Sequence, residues 1–263
     1  RWPTRGGIYE SLFLNNPITT DWTPWLATGY EWRNNNKKLL FNIRSGVEWS
    51  DGKPFSAHDV AYTFNLMKKF PALDSRNSWG FLKSVIAISD TVIEVDFKRV
   101  YVPGFEAIAG APIIPKHIWS KLDDPLDFSN PNPVGTGPYT EVLRFNSQIW
   151  ELGKNPNYWQ PGKPHVEKLI FPTFSTNEQT TLALLSGNLD WAGAFIPAIQ
   201  RIFVDKNPEQ HHYWFRNTGY STFLHTNTKD PILKDPNVRK AISYAINRDQ
   251  VVKVGMYDYT TPA

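Results

Sequence analysis

The stretch KLLFNIRSGVEWSDGKPFSAHDV, residues 38–60, contains the local patterns that decide the fold. Its first part, Lys38 to Arg44, is rich in large apolar residues and predicts a β-strand. Asp51-Gly52 predicts a turn. Ser56 then predicts a helix N-cap, because Asp59, three residues later, favours the positive end of a helix. The stretch therefore predicts a strand, a turn and a capped helix in succession.

The residues after this stretch extend the helix and add two hairpins. Five apolar residues have the spacing of one buried face of a helix: Ala57, Val60, Ala61, Phe64 and Met67. Pro71 ends that helix. Residues 84–98 alternate around Ser89-Asp90-Thr91 and predict a hairpin, and residues 138–153 predict a second one that turns at Asn146-Ser147.

The last third of the chain mixes strands and helices. Strands are predicted at 168–174, 211–217 and 220–227, and a helix at 177–186 that ends at Gly187. Asp235-Pro236 predicts the start of a further helix with the apolar set Val238, Ala241, Ile242, Ala245 and Ile246. Asn247, with Gln250 three residues later, predicts another helix from Arg248.

The order of these elements defines the fold class and two linker candidates. Strands and helices mix without strict alternation, which indicates an α/β or α+β architecture with an antiparallel-rich subdomain. The Pro-rich segment 130–133 and the polar run 33–38 are the best linker candidates. They bracket a compact insert of roughly 100 residues.

Composition excludes several classes of protein. The chain has 263 residues, 28 Lys and Arg against 25 Asp and Glu, and 41% hydrophobic residues. A net charge of +3 is too small to indicate a nucleic-acid partner, and the hydrophobic content excludes a disordered chain. Cysteine is absent, which excludes disulfides, thiol catalysis and Cys-based zinc sites.

Searches for catalytic and metal-binding motifs give no specific match. The six His residues form no H-x₃-H or H-E-x-x-H pair, and G-x-S-x-G and Walker motifs are absent. Gly135-Thr136-Gly137 lacks the third glycine of a dinucleotide loop. Glu48 and Asp51 resemble a glycosidase pair, but Asp51 belongs to a turn signal. We therefore expect no catalytic residue, no metal site and no cofactor.

Tryptophan is unusually frequent. The chain has 11 Trp in 263 residues, and a Trp ring offers a flat apolar face. Packing in the core and against hairpins accounts for most of them. A few are expected to stack on a flat ligand such as a pyranose ring.

Seven segments, in order along the chain, resemble the family 5 extracellular solute-binding proteins of ABC importers. These receptors bind oligopeptides, dipeptides, nickel complexes or oligosaccharides. The matching segments are Ile8-Tyr9-Glu10-Ser11-Leu12, Pro24-Trp25-Leu26-Ala27, residues 43–60, Ile114-Pro115-Lys116-His117-Ile118-Trp119, Pro133-Val134-Gly135-Thr136-Gly137-Pro138-Tyr139, Asn155-Pro156-Asn157-Tyr158-Trp159 and residues 238–248.

The resemblance implies a fold and a division into domains. It implies an α/β, type II periplasmic-binding-protein-like lobe with an inserted antiparallel-rich α+β subdomain. The first lobe would comprise residues 1–36 and 135–237, and the insert residues 37–134. Residues 238–263 would begin a second lobe that is truncated here, because family members are about twice this length.

The resemblance also implies a non-catalytic receptor that clamps its ligand between two lobes. The segment Asp190-Trp191-Ala192-Gly193, with its Trp, resembles the oligosaccharide-binding branch of the family. The first hypothesis for the ligand is therefore a β-linked oligosaccharide. An oligopeptide receptor of the same family and a polysaccharide-active enzyme are the alternatives. The expected ligand-binding residues are Trp191, Asn15, Tyr220, Phe223 and Trp79.

Partners and location follow from the same resemblance. The partners would be the ligand and the membrane permease subunits of an ABC importer, and we expect a monomer. The location would be extracytoplasmic, either in the periplasm or anchored at the cell surface.

Overall fold

The computed structural model describes residues 7–193, 196–214 and 223–262. The chain forms two compact units. The first comprises the chain up to Asn16 together with Thr20–Thr173, and the second comprises Pro17–Thr19 and the chain from Phe174 onward. All strands that are assigned in the described ranges belong to the first unit.

A four-stranded antiparallel sheet is the centre of the first unit. Its strands are β3 (Ala27–Arg33), β4 (Lys38–Ile43), β5 (Leu82–Ser89) and β6 (Val92–Phe97), in the order β3-β4-β6-β5. The predicted strand at 38–44 and the predicted hairpin at 84–98 are both confirmed. Every second residue of β6, namely Ile93, Val95 and Phe97, is buried, as a half-buried strand requires.

The polar run 33–38 is a hairpin turn rather than a linker. Asn34, Asn35 and Asn36 have φ angles of 50°, 51° and 60°, and Asn tolerates this left-handed region better than most residues. The turn joins β3 to β4, which pair from Ala27↔Ile43 to Arg33↔Lys38. The sheet of the expected insert therefore begins before residue 37. The division into lobe and insert stays a prediction.

The first long helix, α1 (Ala57–Lys69), begins as the sequence predicts. The Ser56 hydroxyl accepts a hydrogen bond from the His58 amide at 3.3 Å, and Asp59 Oδ2 accepts one from the Ser56 amide at 3.0 Å. The helix packs on β5 and β6. Val60 and Phe64 are fully buried there, which confirms the predicted face. The helix ends before Pro71.

Shorter elements complete the first unit. They are β1 (Phe13–Asn15) paired with β2 (Trp22–Pro24), the helices α2 (Gly104–Ala109) and α3 (Lys116–Trp119), and a second sheet of β7 (Glu141–Phe145), β8 (Ile149–Gly153) and β9 (Lys168–Pro172). The hairpin predicted at 138–153 is confirmed. Asn146 Oδ1 accepts bonds from the amides of Gln148 and Ile149 at its turn.

Gly135 and Gly137 are required by close backbone contact. A Cβ on Gly135 would lie 2.0 Å from the Ile8 carbonyl oxygen, and one on Gly137 would lie 2.0 Å from the Gly7 oxygen. The Gly137 amide donates to Ile8 O at 2.9 Å in the same place. The backbone of residues 7–8 therefore packs directly against the backbone at Gly135 and Gly137. A side chain at either glycine would clash with it.

The second unit is helical in the described ranges. Its helices are α4 (Asn177–Leu185), α5 (Ile199–Ile202), α6 (Pro236–Ala245) and α7 (Arg248–Gln250), which continues as a π-helical turn at Val251–Gly255. The predicted helices at 177–186, 236 and 248 are confirmed. Gly187 has a φ of 71° after α4, and Asp235 and Asn247 accept bonds from backbone amides as N-caps.

The strands predicted at 211–217 and 220–227 are not found where they can be assessed. Residues 211–214 and 223–227 form no strand, and residues 215–222 lie outside the described residues. The chain at 211 instead folds back on the turn before it, because the His211 amide donates to Asn207 O at 2.8 Å. No helix in the described ranges is both long and apolar enough to cross a membrane.

Candidate functional site

Trp191 is an exposed aromatic residue on a packed base. It follows α4, and 62% of its surface is exposed. Its neighbours Leu189 and Ala192 pack against a small apolar cluster formed by Leu184, Ile196 and Ile199. Residues on both sides of Trp191 are therefore packed, while most of the Trp191 side chain is exposed.

One other Trp in the described ranges is exposed. Of the ten Trp residues described there, only Trp191 and Trp214 are exposed, the latter at 45%. The other eight are buried or half-buried. Trp214 was not predicted as a site residue, since nothing in its sequence context separates it from a packing Trp. Both exposed Trp residues belong to the second unit.

Two further predicted residues also belong to the second unit. Phe223 is 70% exposed, and its ring centre lies 6.1 Å from that of His225. Tyr220 lies outside the described residues. Trp191, Trp214 and Phe223 thus share one unit and one property, a large exposed aromatic surface.

Asn15 and Trp79 belong to the first unit. Asn15 ends β1 with an exposed side chain, and its Nδ2 donates to Thr20 O at 3.3 Å. Trp79 is half-buried; its Nε1 donates to Phe64 O at 2.8 Å, and Lys68 Nζ lies 4.6 Å from the centre of its ring. These contacts favour a packing role for Trp79, while the role of both residues in ligand binding stays a prediction.

A buried carboxylate, missed by the sequence reasoning, organises the first unit. Glu10 is only 7% exposed. Its Oε1 accepts bonds from Trp25 Nε1 at 2.6 Å and from the Tyr158 hydroxyl at 3.0 Å. Its Oε2 accepts one from Trp159 Nε1 at 2.9 Å. We call Glu10, Trp25, Tyr158 and Trp159 the Glu10 cluster.

The electrostatics of the Glu10 cluster follow from its burial. Loss of water raises the pKa of the Glu10 carboxyl, and the three hydrogen bonds oppose this effect without cancelling it. Burial, reinforced by Glu10 itself, raises the pKa of the Tyr158 hydroxyl. The Arg44 guanidinium lies 5.0 Å from the Trp159 ring centre and supplies a nearby positive charge.

The Glu10 cluster joins three of the sequence segments that carry the family resemblance. Its members come from the segments 8–12, 24–27 and 155–159, and one carboxylate joins all three. A Glu inside the apolar segment Ile8-Tyr9-Glu10-Ser11-Leu12 was the available signal, because a charge there must find partners. The cluster holds these three segments together. The carboxylate oxygens of Glu10, the two indole N–H groups and the Tyr158 hydroxyl are already hydrogen-bonded to one another.

The described residues also limit the chemistry of the site. Within 7–193, 196–214 and 223–262, no group of three His, Asp or Glu side chains could hold a metal ion. Trp191, Trp214 and Phe223 each expose a large part of an aromatic side chain. Such a surface can stack on a flat ligand.

The comparisons place the chain in a known class. The sequence profile of the bacterial extracellular solute-binding proteins, family 5 Middle, matches residues 21–263. The chain therefore belongs to this family. The resemblance and the α/β fold of type II periplasmic binding proteins, both expected from the sequence, are confirmed.

Several individual proteins are similar to the chain. The periplasmic oligopeptide-binding protein of an oligopeptide ABC transporter from Thermotoga maritima, in a crystal structure with bound mannohexaose, is 30% identical with a TM-score of 0.83; the match covers 97% of this chain and 49% of that one. The glutathione-binding protein GsiB from Shigella flexneri is 26% identical over 90% of this chain and 46% of its own length. The peptide transport periplasmic protein SapA from Haemophilus influenzae is 25% identical over 93% of this chain and 50% of its own length.

These matches share one limit in length. The chain spans about half the length of the relatives that it matches. What a complete receptor of this family binds is therefore treated below as a proposal.

Proposed function

We propose that the chain is part of a non-catalytic, extracytoplasmic receptor that binds an oligosaccharide and delivers it to the permease subunits of an ABC importer. The observation that carries the proposal is the exposed Trp191 indole, held at the surface between residues that pack on the apolar cluster. A pyranose ring has a flat C–H face that stacks on such an indole, and its hydroxyls remain free to bond to polar groups.

The wider set of exposed aromatic residues supports the same proposal. Trp214 and Phe223 lie in the same unit as Trp191 and are 45% and 70% exposed. A sugar chain of several residues needs several stacking positions, and an exposed aromatic ring can supply one. The mannohexaose bound to the similar Thermotoga maritima protein adds weight to a sugar ligand.

An oligopeptide receptor is the second candidate. It is favoured by the relatives that are named for glutathione binding and for peptide transport. Aromatic surface also suits apolar peptide side chains. The two candidates differ in the chemistry of the ligand, so direct binding separates them.

The test is a fluorescence titration of the purified chain with manno-, cello- and xylo-oligosaccharides and then with a di- and tripeptide pool. Ligand concentrations should reach the millimolar range, because a half-length chain offers part of the contacts of a closed receptor. We expect one sugar series to change Trp emission saturably and the peptides to leave it unchanged.

Two matched variants assign the effect. In Trp191→Ala the saturable change in Trp emission should be lost. The control, Tyr244→Ala, removes another aromatic residue of the same unit that is 88% exposed. This variant should keep the change in emission. Saturation by peptides alone would establish the second candidate. Release of reducing ends from polysaccharide would establish an enzyme and reject both.

A further inference from the structure

The second unit has a cavity of about 480 Å³, and Trp191 is not among the residues that line it. It is lined by Leu185, Arg201, Ile202, Lys206 and His211. Leu185 and Ile202 are the last residues of α4 and α5, so two helix ends supply its apolar wall. The remaining three lining residues are basic. In the part of the chain that the structure describes, no acidic residue lines this cavity.

The two permanent cations of the cavity, Arg201 and Lys206, are exposed. Neither the Arg201 nor the Lys206 side chain has a hydrogen-bond or ion-pair partner among the described residues. The nearest acid in sequence, Asp205, accepts a bond from Gln200 Nε2 at 2.7 Å. Arg and Lys remain charged at neutral pH. The cavity therefore carries positive charge beside apolar surface.

The orientation of the third basic residue is fixed. His211 Nδ1 lies 2.7 Å from Phe203 O, and the two rings stack with centres 4.1 Å apart and planes 1° apart. A carbonyl oxygen only accepts, so Nδ1 carries the hydrogen and donates. Nε2 is then the remaining polar atom of the ring.

We propose that this cavity binds a small organic anion, a carboxylate or phosphate head group on an apolar body. Arg201 and Lys206 would hold the head group by charge-assisted hydrogen bonds. Leu185 and Ile202 would contact the apolar body. The volume lies within the range of small-molecule sites. This site does not depend on whether the receptor carries a sugar or a peptide.

The experiment titrates the purified chain with hexyl phosphate, hexanoate and inorganic phosphate at low ionic strength, followed by two-dimensional NMR. We expect hexyl phosphate, hexanoate or both to bind saturably, and the comparison of the two identifies the head group. Inorganic phosphate should bind more weakly than hexyl phosphate, because it lacks the part that contacts Leu185 and Ile202.

Three variants assign the binding to this cavity. Arg201→Gln and Lys206→Gln should each weaken it about tenfold, as expected for loss of one charge-assisted bond. Lys240→Gln makes the same change of charge at an exposed position of α6 and should leave affinity unchanged. The NMR spectra also show that each variant is folded. Absence of saturable binding by both organic probes, or equal weakening by Lys240→Gln, would overturn the proposal.

Discussion

The indole N–H groups of Trp25 and Trp159 in the first unit bond to the buried Glu10 carboxylate, whereas Trp191 in the second unit exposes 62% of its surface. Both regions are rich in aromatic residues. In the Glu10 cluster, the N–H group of each indole is used inside the protein, and neither ring can move without breaking a bond. Around Trp191, the neighbouring residues are packed while the ring itself is exposed.

This difference separates structural from available tryptophan. A Trp whose N–H has an internal partner serves the fold, because burial without that partner would cost free energy. A Trp that keeps its face exposed beside packed neighbours is free to meet a ligand. The predictions below test each side of this comparison.

The largest effect is expected in the core of the first unit. Phe64 is fully buried on α1, so Phe64→Ala should lower the free energy of unfolding by about 3–5 kcal/mol. Leu182→Ala, at a position of α4 that is 66% exposed, is the matched control in the second unit and should cost less than about 0.5 kcal/mol. Urea unfolding measures both. A similar cost for the two variants would contradict the assigned burial.

Glu10→Gln should have the next largest effect. One amide oxygen can replace the carboxylate oxygen that accepts from Trp25 and Tyr158, but the amide NH₂ would face the Trp159 N–H donor. We expect a loss of about 1–3 kcal/mol in the free energy of unfolding, the cost of a buried unsatisfied donor.

Glu31→Gln provides the control for this variant. Glu31 carries an exposed ion pair with Arg33, and its loss should leave the free energy of unfolding nearly unchanged, because solvent screens an exposed pair. A Glu10→Gln variant as stable as Glu31→Gln would show that the carboxylate does not hold the Glu10 cluster together.

A smaller effect should appear in the dependence of stability on pH. The pKa of Glu10 is raised in the folded chain, above an unfolded value of about 4.3. Between these two values the folded state binds the proton more strongly, so the contribution of Glu10 to stability falls as pH rises through this window and stays lower above it. The stability of wild type minus that of Glu10→Gln should therefore decrease from pH 4 upward in urea unfolding. An increase would mean that the pKa is lowered.

The smallest effect on stability is expected at Trp191. Trp191→Ala removes an exposed ring and should change the free energy of unfolding by less than about 0.5 kcal/mol. The same variant should weaken oligosaccharide binding by about two- to tenfold, since a stacked aromatic pair contributes about 0.5–1.5 kcal/mol. Calorimetry and urea unfolding of one preparation measure both quantities. Marked destabilisation with unchanged binding would show that Trp191 has a structural role and does not bind the ligand.

Local signals in the sequence predicted much of this fold. The Ser56 cap, the turn at Asn146 and Gly187 after α4 depend on residues a few positions apart, and each is confirmed. The expected strand at 211–217 was wrong at 211–214, because the alternation of residues there is overridden by the contacts of His211 with the preceding turn.

Long-range contacts could not be predicted in the same way. The Glu10 cluster joins residues that are 15, 148 and 149 positions apart, and no periodicity connects them. Trp214 is another example, since its exposure depends on packing rather than on its neighbours in sequence. The family resemblance indicated that these segments belong together without indicating which atoms join them.

The most direct test of the central distinction is an NMR titration that follows the indole N–H signals. The signals of Trp25, Trp159 and Trp191 can be assigned from single Trp→Phe variants and then followed while mannohexaose is added to the wild-type chain. We predict that the Trp191 signal shifts saturably and that the Trp25 and Trp159 signals stay in place. Movement of the Trp25 and Trp159 signals with a fixed Trp191 signal, or no movement of any of the three, would contradict this account.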